Sequence, residues 1–168
     1  LSAKATAVVT DSDGDTATKS QTVNITVADS GPTVSFTEAS TALATDDDAL
    51  NAAVSTKELF SYTPGADGAS VAYDVEFILP EGGLQAWDGE KFVSVSVSDD
   101  GLSLLAGSKT VATVSISEKG EVTFTQLAQF QHPVEKANGT AEQHNSDTVS
   151  LSAKATAVVT DSDGDTAT

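Results

Sequence analysis

Residues 1–18 and residues 151–168 are the same string, LSAKATAVVTDSDGDTAT, offset by 150 positions. Chance does not produce an identity of that length. The chain therefore reads as one repeat unit plus an overlap with its neighbour, cut from an array of near-identical units. Solenoid repeats have periods of about 20–50 residues, so a unit this long is expected to be a complete domain on a string. The duplication also constrains the fold, because two copies of one strand sequence cannot occupy one place in one sheet. Asp29-Ser30-Gly31-Pro32 has the turn chemistry of a short linker between strand runs. The expected division is residues 1–29 as the C-terminal strands of a preceding repeat, 29–32 as the linker, and 33–168 as a repeat lacking its last strand. An array would supply that strand as KSQTVNITVAD, which this chain carries at residues 19–29. An open sheet edge is a template for pairing. Residues 1–29 are thus expected to complete the sheet of a neighbouring chain, head to tail, or to fold back on their own. The lack of any Met, the initiator included, also reads as a fragment.

Most apolar runs alternate with period two, the mark of half-buried strands. Leu1, Ala3, Ala5, Ala7 and Val9 fall on one face, and Val23, Ile25 and Val27 alternate with Thr22, Asn24 and Thr26. The same pattern runs through Val71, Tyr73, Val75, Phe77 and Leu79, and through Val93, Val95 and Val97. Shorter runs are Val34–Phe36, Val114–Ile116 and Val122–Phe124, with Gly- and Asp-rich turns between. Many short strands rich in Val and Thr predict an all-β fold, an antiparallel β-sandwich. Residues 39–60 break the pattern, being Ala-rich with an Asp46-Asp47-Asp48 cluster. They read either as a loop with one short helix or as a distorted strand crossing between sheets.

Composition narrows function by exclusion. A net charge of −17, with eight lysines as the only Lys or Arg, argues against nucleic acid and anionic membranes as partners. The absence of Cys excludes thiol catalysis, disulfides and Cys-based metal sites. No run approaches the length of a membrane span, no signal peptide opens the chain, and membrane insertion is not expected. No Ser lies in a nucleophile elbow and no Ser/His/Asp order is signalled, so no catalytic residue is assigned and the chain does not read as an enzyme. His132 and His144 are too far apart in sequence to suggest a metal pair. The aromatic residues are mostly in phase with the apolar strand positions, as core. Trp87, in the turn-like segment Gln85–Gly89, is the one open to another role, such as a carbohydrate platform.

The one chemical motif is Asp11-Ser12-Asp13-Gly14-Asp15, repeated as Asp161-Ser162-Asp163-Gly164-Asp165. Ca2+ takes six to eight oxygens, and carboxylates alternating along a tight loop can converge on one ion. The pattern is similar to the first half of an EF-hand loop, but it lacks the Glu at the twelfth position and the flanking helices. The plainer alternative is a solvated hairpin turn, for which Asp-Gly is a common choice. Strand 1–10 leads into the loop and strand 16–28 leads out toward Asp29, so the loop lies at the pole opposite the domain's exit. Asp161, Asp163 and Asp165 are therefore expected to face the linker and to share Ca2+ with Asp29 or a nearby carbonyl, clamping successive domains. Asp46, Asp47, Asp48, Asp99 and Asp100 are weaker candidates, balanced between ligands and solvated acids.

These features together resemble a known family. His132-Pro133-Val134, then Asp147-Thr148-Val149-Ser150-Leu151 and AVVTDSDGDTAT at 157–168, are similar to the end of the type I secretion repeat domain of giant RTX-type bacterial adhesins. VNITVADSGP, within 19–32, resembles that domain's last strand and linker, and residues 99–125 resemble its middle hairpins. The resemblance is strongest in the C-terminal third and weakest over 39–68. It implies Ig-like or cadherin-like extender domains, secreted in one step to the bacterial cell surface and folded in external calcium. It also implies a mechanical role in cell attachment and biofilm formation, with adjacent repeats of the same polypeptide as partners. The competing reading is a binding module for carbohydrate or for a partner adhesin, with Trp87 as its only sequence hint.

Overall fold

The structure, a computed structural model, describes residues 1–46, 49–132, 136–137, 140–141 and 148–168; for 136–137 and 140–141 it describes the backbone alone. The chain divides into two compact units, Leu1–Ser30 and Gly31–Thr168. The first is a hairpin of β1 (Ser2–Thr10) and β2 (Thr16–Asn24), antiparallel from Thr10↔Thr16 to Ser2↔Asn24. Leu1 and Ile25 exchange both backbone hydrogen bonds beyond it (3.2 and 2.9 Å). A two-stranded ribbon has no layer to bury a face against, and every side chain of β1 and β2 is exposed.

The second unit holds β3 (Thr33–Phe36), β4 (Ala53–Glu58), β5 (Phe60–Thr63), β6 (Ala69–Ile78), β7 (Gln85–Trp87), β8 (Phe92–Val97), β9 (Ser103–Ala106) and β10 (Lys109–Ile116). It continues with β11 (Glu121–Gln126), β12 (Lys136–Ala137), β13 (Thr140–Ala141), β14 (Ser152–Asp161) and β15 (Thr166–Ala167). One sheet runs in the order β4-β11-β10-β9-β8-β7. The facing layer is built from β15-β14-β6, and β3 pairs with β5. Strand pairs are antiparallel throughout, so the chain is an all-β sandwich.

The inner faces follow from the alternation. Val75 and Phe77 of β6 and Ala157 and Val159 of β14 are buried on one side, and Val95, Leu104, Ala106, Val114 and Val122 on the other. Phe77 meets Phe124 edge-on across the sandwich, with ring centroids 6.2 Å apart. A register shift between Thr110 and Ala112 puts two consecutive residues, Val111 and Ala112, in the core. The freed Val111 carbonyl accepts from the N–H groups of Leu127 and Ala128 (2.8 and 3.1 Å), which fixes the exit of β11.

Residues 39–60 divide between the two readings: the described part of 39–52 is loop and turn, and 53–60 are strand, passing from β4 into β5. Ala49 is in 3₁₀ conformation, and turns are closed by Ala49 N–H to Asp46 O and Ala52 N–H to Ala49 O (2.9 and 3.1 Å). The chain then enters β4 on the outer edge of the large sheet, where one face meets solvent and the apolar signal is weak. Gln85–Trp87, read as turn-like, is the short strand β7, bonded to β8. The expectation that the aromatics are core holds for Phe60, Phe77 and Phe130 and fails for Phe36, which is 79 % exposed on β3.

The identical segments make a matched experiment. Val9 in β1 is 68 % exposed, whereas Val159, its copy in β14, is fully buried. Val159→Ala is expected to lower stability by about 1–3 kcal/mol through lost burial and a cavity. Val9→Ala should stay within about 0.5 kcal/mol of wild type. Urea unfolding of the two variants checks this, and equal effects would contradict the assignment of β14 to the core.

Candidate metal centre

The acidic loop is built by its own sequence. In the first unit β1 ends at Thr10, and the Asp11 N–H donates to the Asp15 carbonyl (3.0 Å). The Asp15 N–H donates in turn to Asp11 Oδ1 (3.0 Å), and the Gly14 N–H to the Asp11 carbonyl (3.3 Å). Gly14 sits at φ 99°, a backbone state in which a Cβ is strained, so glycine permits the reversal. The result brings one carboxylate oxygen each of Asp11, Asp13 and Asp15 within 4.8 Å of one another, all three exposed. That is the convergence expected of these residues.

The second copy keeps the frame and changes one role. Asp161 N–H donates to the Asp165 carbonyl (3.0 Å), and Gly164 repeats the left-handed turn at φ 102°. Asp161 is buried at the base of the loop, where its Oδ1 accepts from the N–H groups of Gly164 and Asp165 (3.1 and 2.8 Å). It serves as the brace of the turn. Asp163 and Asp165 present oxygens within 4.8 Å of each other at the exposed rim, and Asp161 does not complete a triad with them. Ser162 Oγ donates to the Asp67 carbonyl (2.8 Å), tying the loop to the turn before β6. Nothing in the sequence signals that contact, because it spans 95 positions and depends on β14 lying beside β6. A Cβ placed on Gly31 would lie 3.7 Å from Asp165 Oδ2, so the unit's first residue runs against the loop. Asp29, in the first unit, accepts the Ser30 N–H at Oδ1 (2.8 Å).

The weaker candidates scatter. Asp47 and Asp48 lie outside the described residues, as do His144 and the Pro133, Val134 and Asp147 of the family-like motifs. The Asp46 carbonyl closes the turn to Ala49. Asp100 Oδ1 accepts from Ser98 Oγ (2.6 Å) and the Leu102 N–H (3.0 Å), which makes it a turn brace between β8 and β9, with Asp99 beside it. His132 is half-buried. Trp87 is also half-buried and meets Phe92 edge-on at 5.3 Å, with Lys109 Nζ 3.4 Å from its carbonyl oxygen.

Three carboxylates this close repel when all are ionised, and a shared proton or a cation relieves them. The Asp11 carboxyl is held below the usual carboxylate range, first by its hydrogen bond with Asp13 and then by the backbone N–H groups of the loop. Asp100 is lowered too, by Ser98 first and then by the Leu102 N–H.

An antiparallel sandwich carrying acidic hairpin loops is the class of protein that these features define. The family described as a domain of unknown function, DUF5801, matches residues 40–168, and the chain belongs to it. No curated protein and no solved structure matches the chain.

Because the folded values of Asp11 and Asp100 lie below their unfolded ones, the order they add is present above the unfolded carboxyl pKa. It is lost as pH falls through the folded values. Carboxyl-carbon NMR titration without divalent metal is expected to find both midpoints below those of the same residues in short unfolded peptides. Midpoints equal to the peptide values would refute the hydrogen-bond account.

Proposed function

We propose that this protein is a structural extender repeat of a large, calcium-dependent bacterial surface adhesin, with a mechanical rather than catalytic role in attachment and biofilm formation. The observation that carries the reading is the recurrence, 150 residues apart, of one acidic loop with one backbone frame. Copying adds length, which is the property a stalk needs. Alternating carboxylates of this kind suit a hard cation that takes only oxygen ligands. Ca2+ is the ion, with Asp11, Asp13 and Asp15 as ligands in one loop and Asp163 and Asp165 in the other.

Asp161 holds the second loop in shape for that ion. Asp29 precedes Gly31 by two residues, a reach of roughly 7 Å along extended chain, and Gly31 itself lies against Asp165. Chain connectivity therefore supports Asp29 as a further ligand at a junction between repeats. Bound Ca2+ would neutralise acids that otherwise repel and would stiffen the linker. The proposed location is the extracellular face of a bacterial cell, with neighbouring repeats of the same polypeptide as partners.

Isothermal titration of the metal-free protein is expected to show Ca2+ binding, with the loss of one class of site in Asp13→Asn and of the other in Asp163→Asn. At a calcium concentration about a hundredfold above Kd, stability should rise by about 2.7 kcal/mol. Absence of binding at millimolar Ca2+, or equal binding by the double variant, would sink the proposal.

The competing reading is a sugar-binding or partner-binding module. It draws on the half-buried Trp87 beside the partly exposed Phe92. Trp87 is the only tryptophan, so its emission reports on that surface directly. The extender reading expects no change across a panel of glycans, and a saturable shift would favour the module.

A further inference from the structure

Strand β6 is paired on one flank only. Its ladder with β14 runs from Ala69↔Asp161 to Ile78↔Ser152, and among the described residues no strand pairs with its other side. One bond fixes the direction of its backbone groups. The Phe77 N–H donates to the Gly101 carbonyl, in the turn between β8 and β9 (2.9 Å), so Phe77 aims away from β14. Antiparallel alternation turns the N–H and carbonyl groups of Val71, Tyr73 and Val75 the same way. The Gly101 turn lies tight against β6, since a Cβ on that glycine would meet the Glu76 Cβ at 3.0 Å. It closes the flank at Phe77 and leaves Val71–Val75 open.

A cleft lies at this open stretch. Val71, Tyr73, Ile116, Ser117 and Glu118 line a volume of about 410 Å³ where β6 faces the end of β10. The inward side chains of β6 lose cover along it: Val75 is 2 % exposed, whereas Tyr73 and Val71 are half-buried. Charge at the edge is largely of one sign. Asp74 and Glu76 are exposed on the outward face of β6, and Glu118 is the one charged residue lining the cleft. Lys154 lies 4.0 Å from Glu76 on the paired flank, and the exposed Lys119 follows Glu118 in the turn before β11.

We propose that the open edge of β6 is a docking site for an extended basic segment of a partner protein, one in which Lys or Arg alternates with apolar residues. Such a segment adds antiparallel to Val71–Val75 and takes up the aimed backbone groups. On this flank Asp74 falls in a non-hydrogen-bonded pair, where opposed side chains are closest, and Glu76 is within diagonal reach. A basic residue opposite Asp74 therefore meets carboxylates. The intervening apolar residues turn inward beside Val71, Tyr73 and Ile116 and cover the half-open end of the core. The same acids disfavour a second copy of this chain, which would bring its own Asp74 and Glu76 to the seam at a net charge of −17 per chain. The site uses no residue of the acidic loops and none of the Trp87 surface, so it depends on neither calcium nor sugar binding.

The probe is the synthetic peptide Lys-Val-Lys-Val-Lys-Val-Lys, added to the whole chain in calcium-free buffer. Amide NMR is expected to show saturable binding, with hydrogen exchange at Val71, Tyr73 and Val75 slowed at least about tenfold. The block peptide Lys-Lys-Lys-Lys-Val-Val-Val carries the same charge without the alternation, and should bind at least about tenfold more weakly. Val71→Pro deletes one aimed N–H where an edge strand tolerates proline, and should weaken the alternating peptide by a similar factor. Asp74→Lys with Glu76→Lys, both at exposed positions, should abolish its binding and admit Glu-Val-Glu-Val-Glu-Val-Glu instead. No saturable binding, equal binding of the two basic peptides, protection confined to residues outside Val71–Val75, or unchanged affinity in the charge-reversed variant would each overturn the proposal.

Discussion

The ladder between β6 and β14 is the interaction on which the second unit depends. Ten residue pairs join strands far apart in the sequence, and their shared inner face supplies Val75, Phe77, Ala157 and Val159 to the core. Without it the six-stranded sheet would expose Leu104, Val111 and Val114, and the facing layer would lack its longest strands. The ladder also fixes the acidic loop, because β14 ends at Asp161 and delivers the turn beside Asp67. Packing and site position are thus consequences of one long-range pairing.

The same ladder explains how one sequence has two fates. In the first unit, β1 has a strand on one flank and no layer beneath it, so its apolar residues face water. In the second, β6 and the opposing sheet turn the identical residues into core. Burial belongs to the environment, and hydrogen bonding along the hairpin belongs to the sequence.

Charge is arranged as strictly as the apolar residues. The acids that shape turns do so through carboxylate oxygens that accept backbone N–H groups, as Asp11, Asp88, Asp100 and Asp161 all do. The Asp88 carboxyl is held low by such bonds, those of Lys91 and Glu90. Asp13 and Asp15 in one loop, and Asp163 and Asp165 in the other, instead present carboxylates close together at the rim. The calcium reading rests on that crowding, to which Asp11 also contributes while bracing its turn.

Much of this was legible from residue order alone. Period-two alternation located β6, β8 and the long strands of both repeats, because a half-buried strand must alternate. Asp-Gly marked the two acidic turns, since their frames use only bonds within five residues and a left-handed glycine. Strands whose apolar signal is weak were not legible: β4 sits on a sheet edge with a solvated face, and β7 is a three-residue strand held by β8. Nor was the brace role of Asp161, because a local motif does not reveal which of its carboxylates the fold will bury. The sequence by itself determined the strands, the turns and the identity of the two hairpin frames, all products of local bonding and periodicity. The tertiary structure alone decided which copy became core and which carboxylate turned inward. Those outcomes depend on what packs against a strand, and the two copies of LSAKATAVVT meet different neighbours.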